Sequence, residues 1–370
     1  MSEIATIITQ TRVKLLEKGP TEALKFLKQH KSHANTTEYL QTIGELYLEE
    51  GKPDKAYKNL IKAMEMDPQG EKGYGKFFYL GQIIGGENGV KLINQGLELI
   101  YVKLQALATA ETIDDQLVKD FNFGIFTQVE IWMTDLCMAP EAEEKCVELI
   151  SKALEIDGTN GEAWALFGSI KVSQSKPEEA VECFNKAWEL FQEKKTRIAN
   201  TVDEADDFNA QVIELIQPVV NLLKLGVELM QFETCFDIAA FVKELDEEIV
   251  EALYLSGFVI YLHFKKPQYE ATLAGTGTEF NFEDFTNFKL DLNKIEKNDE
   301  NILYLKTLND DFSKVLKIQE NGNEEVDPDV LGHIAALINE IKESDSGDLF
   351  NGLDNMEVTE ENWEDEIEYD

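Results

Sequence analysis

Cysteines and long apolar runs are scarce in this sequence of 370 residues. It has four cysteines, none in a CxxC pair, and its first twenty residues alternate apolar and polar groups. We therefore expect no disulfide framework and no secretory leader. The apolar stretch GFVIYLHF, at 257–264, is far shorter than the roughly 20 residues of a membrane helix. We expect a cytoplasmic and nuclear protein with no membrane partner.

Basic residues are also few. Lys and Arg number 34 against 72 Asp and Glu, which gives a formal net charge of -38 and a pI of about 4.4. Such a surface repels the phosphates of nucleic acids and anionic lipids over most of its area. We therefore expect no direct contact with nucleic acid. A basic protein partner would be attracted.

Motifs of catalysis are missing as well. The histidines have no metal-ligand spacing such as HExxH, and no glycine-rich segment ends in GK[ST]. The cysteines lie mostly on apolar helix faces without an evident activating base, which is typical of core groups. The sequence predicts no cofactor and no metal site, and it favours a protein that is not an enzyme.

What the sequence does contain is an internal repeat. Apolar and small residues fall at offsets 0, 3, 4, 7, 16, 20, 23 and 28, namely Leu40, Ile43, Gly44, Tyr47, Ala56, Leu60, Ala63 and Pro68. This is the tetratricopeptide pattern of two antiparallel helices. Its small residues let the helices approach closely, its large ones interlock, and the proline stops the second helix.

Further copies follow along the chain. A second strong copy consists of Trp164, Phe167, Gly168, Ala180, Phe184 and Ala187. Its second helix is preceded, 34 residues upstream, by Cys146, Ile150 and Ala153. Degenerate copies are predicted around Tyr74, Phe77, Gly89, Ile93 and Gly96, and their first helices alone around Leu222, Leu225, Gly226, Leu253, Gly257 and Ile260.

The predicted fold is all-α: a tetratricopeptide-repeat superhelical solenoid with a disordered acidic C-terminal tail. N-terminal capping helices cover residues 1–36, broken at Gly19-Pro20 with Thr21 as a candidate N-cap. The solenoid, with degenerate C-terminal repeats and helices, covers residues 37–343. The tail covers residues 344–370.

Two segments interrupt the predicted repeats. Residues 192–211 are charged and are expected to extend one helix into the next repeat, whereas the Gly/Thr-rich residues 268–285 are expected to form a mobile loop. Two further helices are predicted over 301–319 and 327–343, the second with Pro328 in its first turn.

The C-terminal end differs in composition. From Glu343 to Asp370 there are twelve acidic residues and no Lys or Arg. Such a segment is expected to be disordered by itself. It is either a solubility tail or an arm that covers basic surface on a partner. The candidate binding residues in it are Glu360, Glu361, Trp363, Glu364, Asp365, Glu366 and Glu368.

A solenoid of this type has a concave groove lined by the first helix of each repeat. The candidate groove residues, chosen by repeat geometry, are Glu38, Gln41, Glu45, Tyr79, Glu130, Asp135, Glu162, Glu251, Tyr254, Phe258 and Tyr261. An exposed ion pair contributes only about 0.2–1 kcal/mol, whereas a buried aromatic anchor contributes several times more. We therefore expect the carboxylates to steer a basic partner and the aromatic rings to hold it.

The same positions bear on a rival function. Tetratricopeptide co-chaperones that hold the acidic C-terminus of heat-shock proteins use a clamp of Lys, Asn and Arg. Here Gln41 and Glu45 occupy two of the corresponding positions. A carboxylate ligand would be repelled by Glu45.

These features together resemble one family. The stretch from Trp132 to Ala180, with its TDLC and SQSKPEEA segments, and the ending EDEIEYD resemble the fungal assembly chaperones dedicated to the fourth large-subunit ribosomal protein. The resemblance implies capture of a newly made, basic ribosomal protein by its long internal loop. It also implies escort into the nucleus, where pre-ribosomal RNA takes over the loop.

Two other functions remain open from the sequence. A general tetratricopeptide adaptor would need neither the tail nor the excess charge. An acidic histone-type chaperone would use the tail as its main binding element. In each case we expect a monomer.

Overall fold

The structure is a computed structural model that describes residues 2–107, 115–201, 211–322 and 326–345. These residues form helices and connecting turns, with no strand among them. The chain divides into an N-terminal unit, Met1–Glu214, and a C-terminal unit, Leu215–Asp370. That division falls inside the predicted solenoid, and the domain bounds given above stay predictions. No helix within the described ranges is long and apolar enough to span a bilayer.

The N-terminal unit is built from helical hairpins that follow a longer first helix. Its described helices are α1 (Glu3–Leu27), α2 (Thr37–Glu49), α3 (Pro53–Met66), α4 (Gly75–Ile84), α5 (Gly86–Leu107), α6 (Asp115–Met133), α7 (Ala142–Ile156), α8 (Gly161–Ser173) and α9 (Pro177–Thr201).

Helix α1 consists of two helical segments joined at a kink. Gly19 has φ 76°, a conformation that glycine adopts without strain, and Pro20 follows it. The predicted break at Gly19-Pro20 is therefore confirmed. The prediction that Thr21 caps the second segment is wrong, because the non-helical residue at the kink is Gly19 and Thr21 already lies inside the helix. Its hydroxyl donates to Glu50 Oε1 (3.1 Å).

The hairpin of α2 and α3 has the packing predicted for the first repeat. Ala56, Leu60 and Ala63 of α3 are completely buried. A Cβ atom on Gly44 would lie 2.5 Å from Leu60 Cγ, so α2 and α3 approach too closely for alanine without movement. Thr36 caps α2 by accepting from Tyr39 N (3.3 Å).

The other predicted hairpins of this unit are also present. Helix α4 packs on α5, α6 on α7, and α8 on α9. Cys146, Ile150 and Ala153 are buried in α7, and Ala180, Phe184 and Ala187 are buried in α9. The charged segment from residue 192 continues α9 as far as Thr201, and part of the remainder lies outside the described residues.

The first helices of the hairpins also contact one another: α2 contacts α4, α4 contacts α6, and α6 contacts α8. They form one layer, which the second helices back. Side chains on the other side of this layer are the ones that the repeat pattern leaves free to meet a partner.

The C-terminal unit has its own packing. Its described helices are α10 (Ile216–Glu228), α11 (Phe232–Leu245), α12 (Val250–Leu273), α13 (Phe282–Asn287), α14 (Asp299–Asn321) and α15 (Pro328–Ser344). Helices α10 and α11 form a hairpin, and α12 pairs with α14, where Gly257 lies against Phe312. The predicted helices over 301–319 and 327–343 are confirmed as α14 and α15.

The segment 268–285 is a loop only in its middle, residues 274–281, and not over the whole range that we predicted. Its first part continues α12 to Leu273, and its last part enters α13. Tyr269 is 4% exposed and has the rings of Phe280, Phe285 and Phe288 at 5.2, 5.5 and 5.6 Å. This aromatic packing holds the two ends of the segment together, while the Gly- and Thr-rich residues between them are exposed.

Candidate functional site

The helix layer of the N-terminal unit brings together a group of side chains that we call the Tyr79 cluster: Gln41, Glu45, Tyr79, Asp120 and Phe123. Gly75 makes room for two of its members, because a Cβ there would lie 2.9 Å from Gln41 Nε2 and 3.2 Å from Tyr79 Cε2. Gln41 Nε2 donates to Glu45 Oε1 (3.0 Å), which fixes the carboxylate beside the phenol ring.

The aromatic part of the cluster joins two helices. The rings of Tyr79 on α4 and Phe123 on α6 lie 5.1 Å apart, and Phe123 also meets Phe78 edge to face at 5.7 Å. Burial raises the pKa of the Tyr79 phenol, and the charge of Glu45 raises it further. The half-buried rings therefore form an ordered apolar surface beside carboxylates.

The surroundings of Glu45 disfavour the charged form of its carboxylate. Burial raises the pKa of Glu45, and the carboxylates of Glu49 and Asp120 raise it further, against the opposing effects of Arg12 and the Gln41 hydrogen bond. Three carboxylates from α2 and α6 thus interact across the layer. An arriving cation would relieve this repulsion.

Replacing Glu45 with glutamine is expected to stabilise the N-terminal unit at pH 7, by about 0.5–1 kcal/mol. A raised pKa means that Glu45 favours folding most at acidic pH, below the unfolded value of about 4.3. That contribution is lost as the pH rises through the folded pKa. Urea unfolding should show equal stabilities for the two proteins near pH 4 and a more stable variant at neutral pH.

The matched control is Glu65→Gln, because Glu65 is exposed on α3. It should leave the stability unchanged at both pH values. A Glu45→Gln protein no more stable than the wild type at neutral pH would contradict the assigned desolvation of this carboxylate.

Three other predicted groove residues carry carboxylates on the same layer. Glu38 lies 3.8 Å from Lys72 Nζ, and Glu130 accepts from Gln82 Nε2 (3.2 Å). Burial raises the pKa of Glu162 on α8, with Lys194 as the opposing charge. The negative charge therefore extends along the first helices, although contact with a partner stays a prediction for each residue.

Asp135 has a local structural contact instead of a position on a first helix. It follows α6 and accepts from the backbone N–H of Gly86 (2.8 Å). The carboxylate therefore satisfies the amide that begins α5. The placement of Asp135 on a groove-lining helix is corrected, because α6 ends at Met133.

The predicted aromatic residues of the C-terminal unit contact α15 and differ in exposure, because Tyr254 and Phe258 are half-buried and Tyr261 is buried. The Tyr254 hydroxyl and His333 Nδ1 of α15 are hydrogen-bonded at 2.7 Å, and His333 packs edge to face on Phe258 at 5.1 Å. Tyr261 is 2% exposed and donates to Glu340 Oε1 (2.6 Å). Our expectation that Tyr261 lines the groove is therefore wrong, whereas partner binding by Tyr254 and Phe258 stays a prediction.

Glu251 lies near the beginning of α12 and forms an ion pair with Lys224 Nζ (2.6 Å). Both side chains are substantially exposed, so the pair is open to exchange with an external cation. Glu251 therefore remains a predicted partner-binding residue.

The sequence analysis missed Asp120 and Phe123. For the repeat whose second helix contains Cys146, it named only Glu130 and Asp135 as groove residues. Helix α6 in fact begins at Asp115, and its early turns supply both residues. The aromatic and acidic residues of DDQLVKDFNF, 114–123, are the signal that a longer first helix would have made informative.

The remaining titratable groups fit the expectation of packing roles, with one exception. Burial raises the pKa of the thiols of Cys146 and Cys235, to about 11 and about 12. Cys183 is buried and Cys137 is exposed, so the prediction of a core position is wrong for Cys137. Among the described residues, no group of three or more His, Cys, Asp or Glu side chains could hold a metal ion. The predicted tail residues lie outside the described ranges.

Comparison with known proteins identifies two families within the chain. Residues 248–364 match the ACL4 C-terminal domain, and residues 37–69 and 161–193 match the tetratricopeptide repeat. The predicted repeat fold is thereby confirmed, including both strong copies.

Curated relatives extend the match. "Probable assembly chaperone of rpl4" of Schizosaccharomyces pombe (strain 972 / ATCC 24843) is 27% identical over 284 residues, covering 75% of this chain and 79% of that protein. The protein of the same name from Emericella nidulans (strain FGSC A4 / ATCC 38163 / CBS 112.46 / NRRL 194 / M139) is 24% identical over 231 residues, covering 60% of this chain and 54% of that protein. These matches confirm the resemblance inferred from the sequence.

A solved structure shares the fold. "Assembly Chaperone of RpL4 (Acl4) (Residues 1-338)" superimposes with a TM-score of 0.52 at 21% identity, covering 73% of this chain and 100% of that one.

Proposed function

We propose that this chain, a relative of the fungal assembly chaperones of rpl4, is a dedicated chaperone for a newly made, basic ribosomal protein of the large subunit. It binds the long internal loop of that protein on the first-helix layer of the N-terminal unit and escorts it to nuclear pre-ribosomes. The observation that carries this proposal is the placement of the Gln41–Glu45 pair of one hairpin beside the aromatic Tyr79 of the next.

The charge of the layer suits such a ligand. A loop rich in Lys and Arg is disordered before assembly, and ordering it requires a large contact surface, which several hairpins side by side supply. The carboxylates of the layer would pair with the basic side chains of the loop, as the RNA phosphates do later in the ribosome. RNA, with about one charge per 1.7 Å of duplex, would then compete successfully for the loop.

Calorimetric titration tests the proposal. The full chain is titrated at two salt concentrations with a peptide covering the internal loop and with a scrambled peptide of equal charge. Stoichiometric binding of the native loop alone is the expected result. Equal, salt-sensitive binding of both peptides would mean that the chain binds them only through its net negative charge. Binding that depends weakly on salt would favour a general adaptor.

A charge reversal locates the binding surface. Glu45→Lys is expected to weaken binding of the loop peptide about tenfold, because it replaces an attraction within the Tyr79 cluster by a repulsion. Glu65→Lys, with the same change of charge at an exposed position of α3, should weaken it no more than about twofold. Equal effects of both variants would mean that only net charge matters.

The proposal also covers the oligomeric state, the localisation and the acidic tail of the protein. The chain acts as a monomer without enzymatic activity, makes no direct contact with nucleic acid, and moves between cytoplasm and nucleus with its cargo. The acidic tail adds to binding without being essential. A histone-type chaperone would instead lose all binding when residues 346–370 are deleted.

A further inference from the structure

The Tyr79 cluster combines two aromatic rings with a carboxylate that is held in place by a hydrogen bond. Its half-buried rings, Tyr79 and Phe123, are 5.1 Å apart and tilted by 56°, so that they present two differently oriented faces. Glu45 lies next to them with one carboxylate oxygen bonded to Gln41 at 3.0 Å. The cluster therefore has more structure than a patch of negative charge.

The three helices that build the cluster hold its members in place. Gln41 is fitted over Gly75 and orients the carboxylate, and Phe123 is wedged between Phe78 and Tyr79. Because each ring and the carboxylate are supported by a neighbouring side chain, binding of a ligand would cost little conformational entropy in these side chains.

We propose that the Tyr79 cluster is an arginine-selective site, which takes up a guanidinium group in preference to the ammonium group of lysine. The inference rests on the proposed function, whose ligand is basic, and it names the side chain that is read at this place. The guanidinium plane stacks on an aromatic face while its edge donates to the Glu45 carboxylate.

The preference follows from the chemistry of the two cations. A guanidinium is planar, presents a fork of donors that matches a carboxylate, and is less strongly hydrated than an ammonium. It therefore loses less when it enters a partly desolvated site and gains more from the ring face. At an exposed acidic surface both cations would bind alike, because only their charge would count.

The molecule already holds a guanidinium within electrostatic range of this site. The charge of Arg12 on α1 opposes the rise in the pKa of both Glu45 and Tyr79. Arg12 therefore favours the ionised form of Glu45, which is the form that an incoming guanidinium would meet. Its own positive charge repels a second cation, so the proposed selectivity rests on the arrangement of rings and carboxylate and not on this charge.

Hexa-arginine and hexa-lysine are suitable probes, because they carry equal charge and do not depend on the identity of the natural cargo. Titrated into the full chain, hexa-arginine should bind about fivefold more tightly than hexa-lysine. In Tyr79→Leu this ratio should fall to below about twofold. Tyr79→Phe, which keeps the ring, should retain the preference.

The matched control is Tyr101→Leu, because Tyr101 is 51% exposed on α5 and lies outside the cluster. It should leave the ratio unchanged, and circular dichroism should confirm that every variant is folded. Equal affinities of the wild type for the two probes, no binding of hexa-arginine, or an unchanged ratio in folded Tyr79→Leu would each overturn the inference. Failure of the proposed function would appear separately, as an absence of preference for the native loop peptide over its scrambled copy.

Discussion

Asp67→Ala is expected to destabilise the N-terminal unit by about 3–5 kcal/mol, because it leaves a buried lysine without its counter-charge. Lys76 at the start of α4 is 0% exposed, and its Nζ donates to Asp67 Oδ2 at 2.8 Å and to the carbonyl oxygen of Gly73. The same carboxylate accepts from the backbone N–H groups of Glu71 and Lys72, both at 2.9 Å. One side chain therefore orders the whole connection between the first two hairpins.

The stabilisation that Asp67 provides is also expected to depend on pH. Burial by itself would raise the pKa of Asp67, but the hydrogen bonds from Lys76 and from two backbone amides lower it below its usual range. The stability that it supplies is thus present above the unfolded pKa, about 3.9, and is lost as the pH falls through the folded value. The difference between wild type and variant should shrink in acid.

Urea unfolding followed by tryptophan fluorescence measures this effect, since Trp132, Trp164 and Trp188 lie in the N-terminal unit. The control is Glu148→Ala on α7, which removes an exposed carboxylate paired with Lys145 and Lys152. It should cost less than about 1 kcal/mol, because exposed pairs are screened by water. If both variants lost the same stability, Lys76 would not depend on Asp67.

Much of the fold could be predicted because the repeat code is local. Gly44 and Leu60 belong to one hairpin, and a Cβ on Gly44 would lie 2.5 Å from Leu60 Cγ, so the fixed spacing of small and large residues directly encodes a contact. The same holds for the hairpin that contains Ala180 and Phe184, both completely buried. Where the code is intact, sequence spacing and three-dimensional packing carry the same information.

The errors arose where a distant element determines the structure. No local pattern says that His333 and Glu340 of α15 cover Tyr254 and Tyr261, which are 79 residues away in each case. Likewise, glycines and threonines near residue 275 suggested a loop over the whole of 268–285, although the rings around Tyr269 pack the two ends of this segment. Non-local aromatic contacts outweigh local turn propensity in this unit.

The location of the candidate site on the first helices could be predicted from the sequence, but not all of its residues could. Repeat geometry correctly placed Gln41, Glu45 and Tyr79 on neighbouring first helices, and the structure brings them together. Asp120 and Phe123 could not be assigned, because the first helix of their degenerate repeat is longer than the pattern requires. The arginine preference that we propose depends on Phe123 and therefore needed the structure.

Gly89→Ala is expected to destabilise the N-terminal unit by about 2–3 kcal/mol, although alanine is the better helix former. A Cβ atom on Gly89 would overlap the carbonyl oxygen of Gly81 and lie 3.2 Å from Ile131 Cδ1. The first obstacle is backbone, so no rotamer change can relieve it. Helices α4 and α5 would have to separate, and α4 carries Tyr79 of the candidate site. Thermal unfolding by circular dichroism measures the loss.

Replacing Gly332 of α15 by alanine is expected to have the opposite effect on stability. No atom lies within 4 Å of a Cβ built there, and the glycine is inside a helix. Gly332→Ala should therefore stabilise the C-terminal unit, by about 0.5–1 kcal/mol, through the lower conformational entropy of the unfolded chain and the helix preference of alanine. Opposite signs at the two positions would show that Gly89 serves the close approach of α4 and α5. Equal stabilisation at both would mean that this hairpin can relax around a methyl group, and that its glycines do not fix the position of Tyr79.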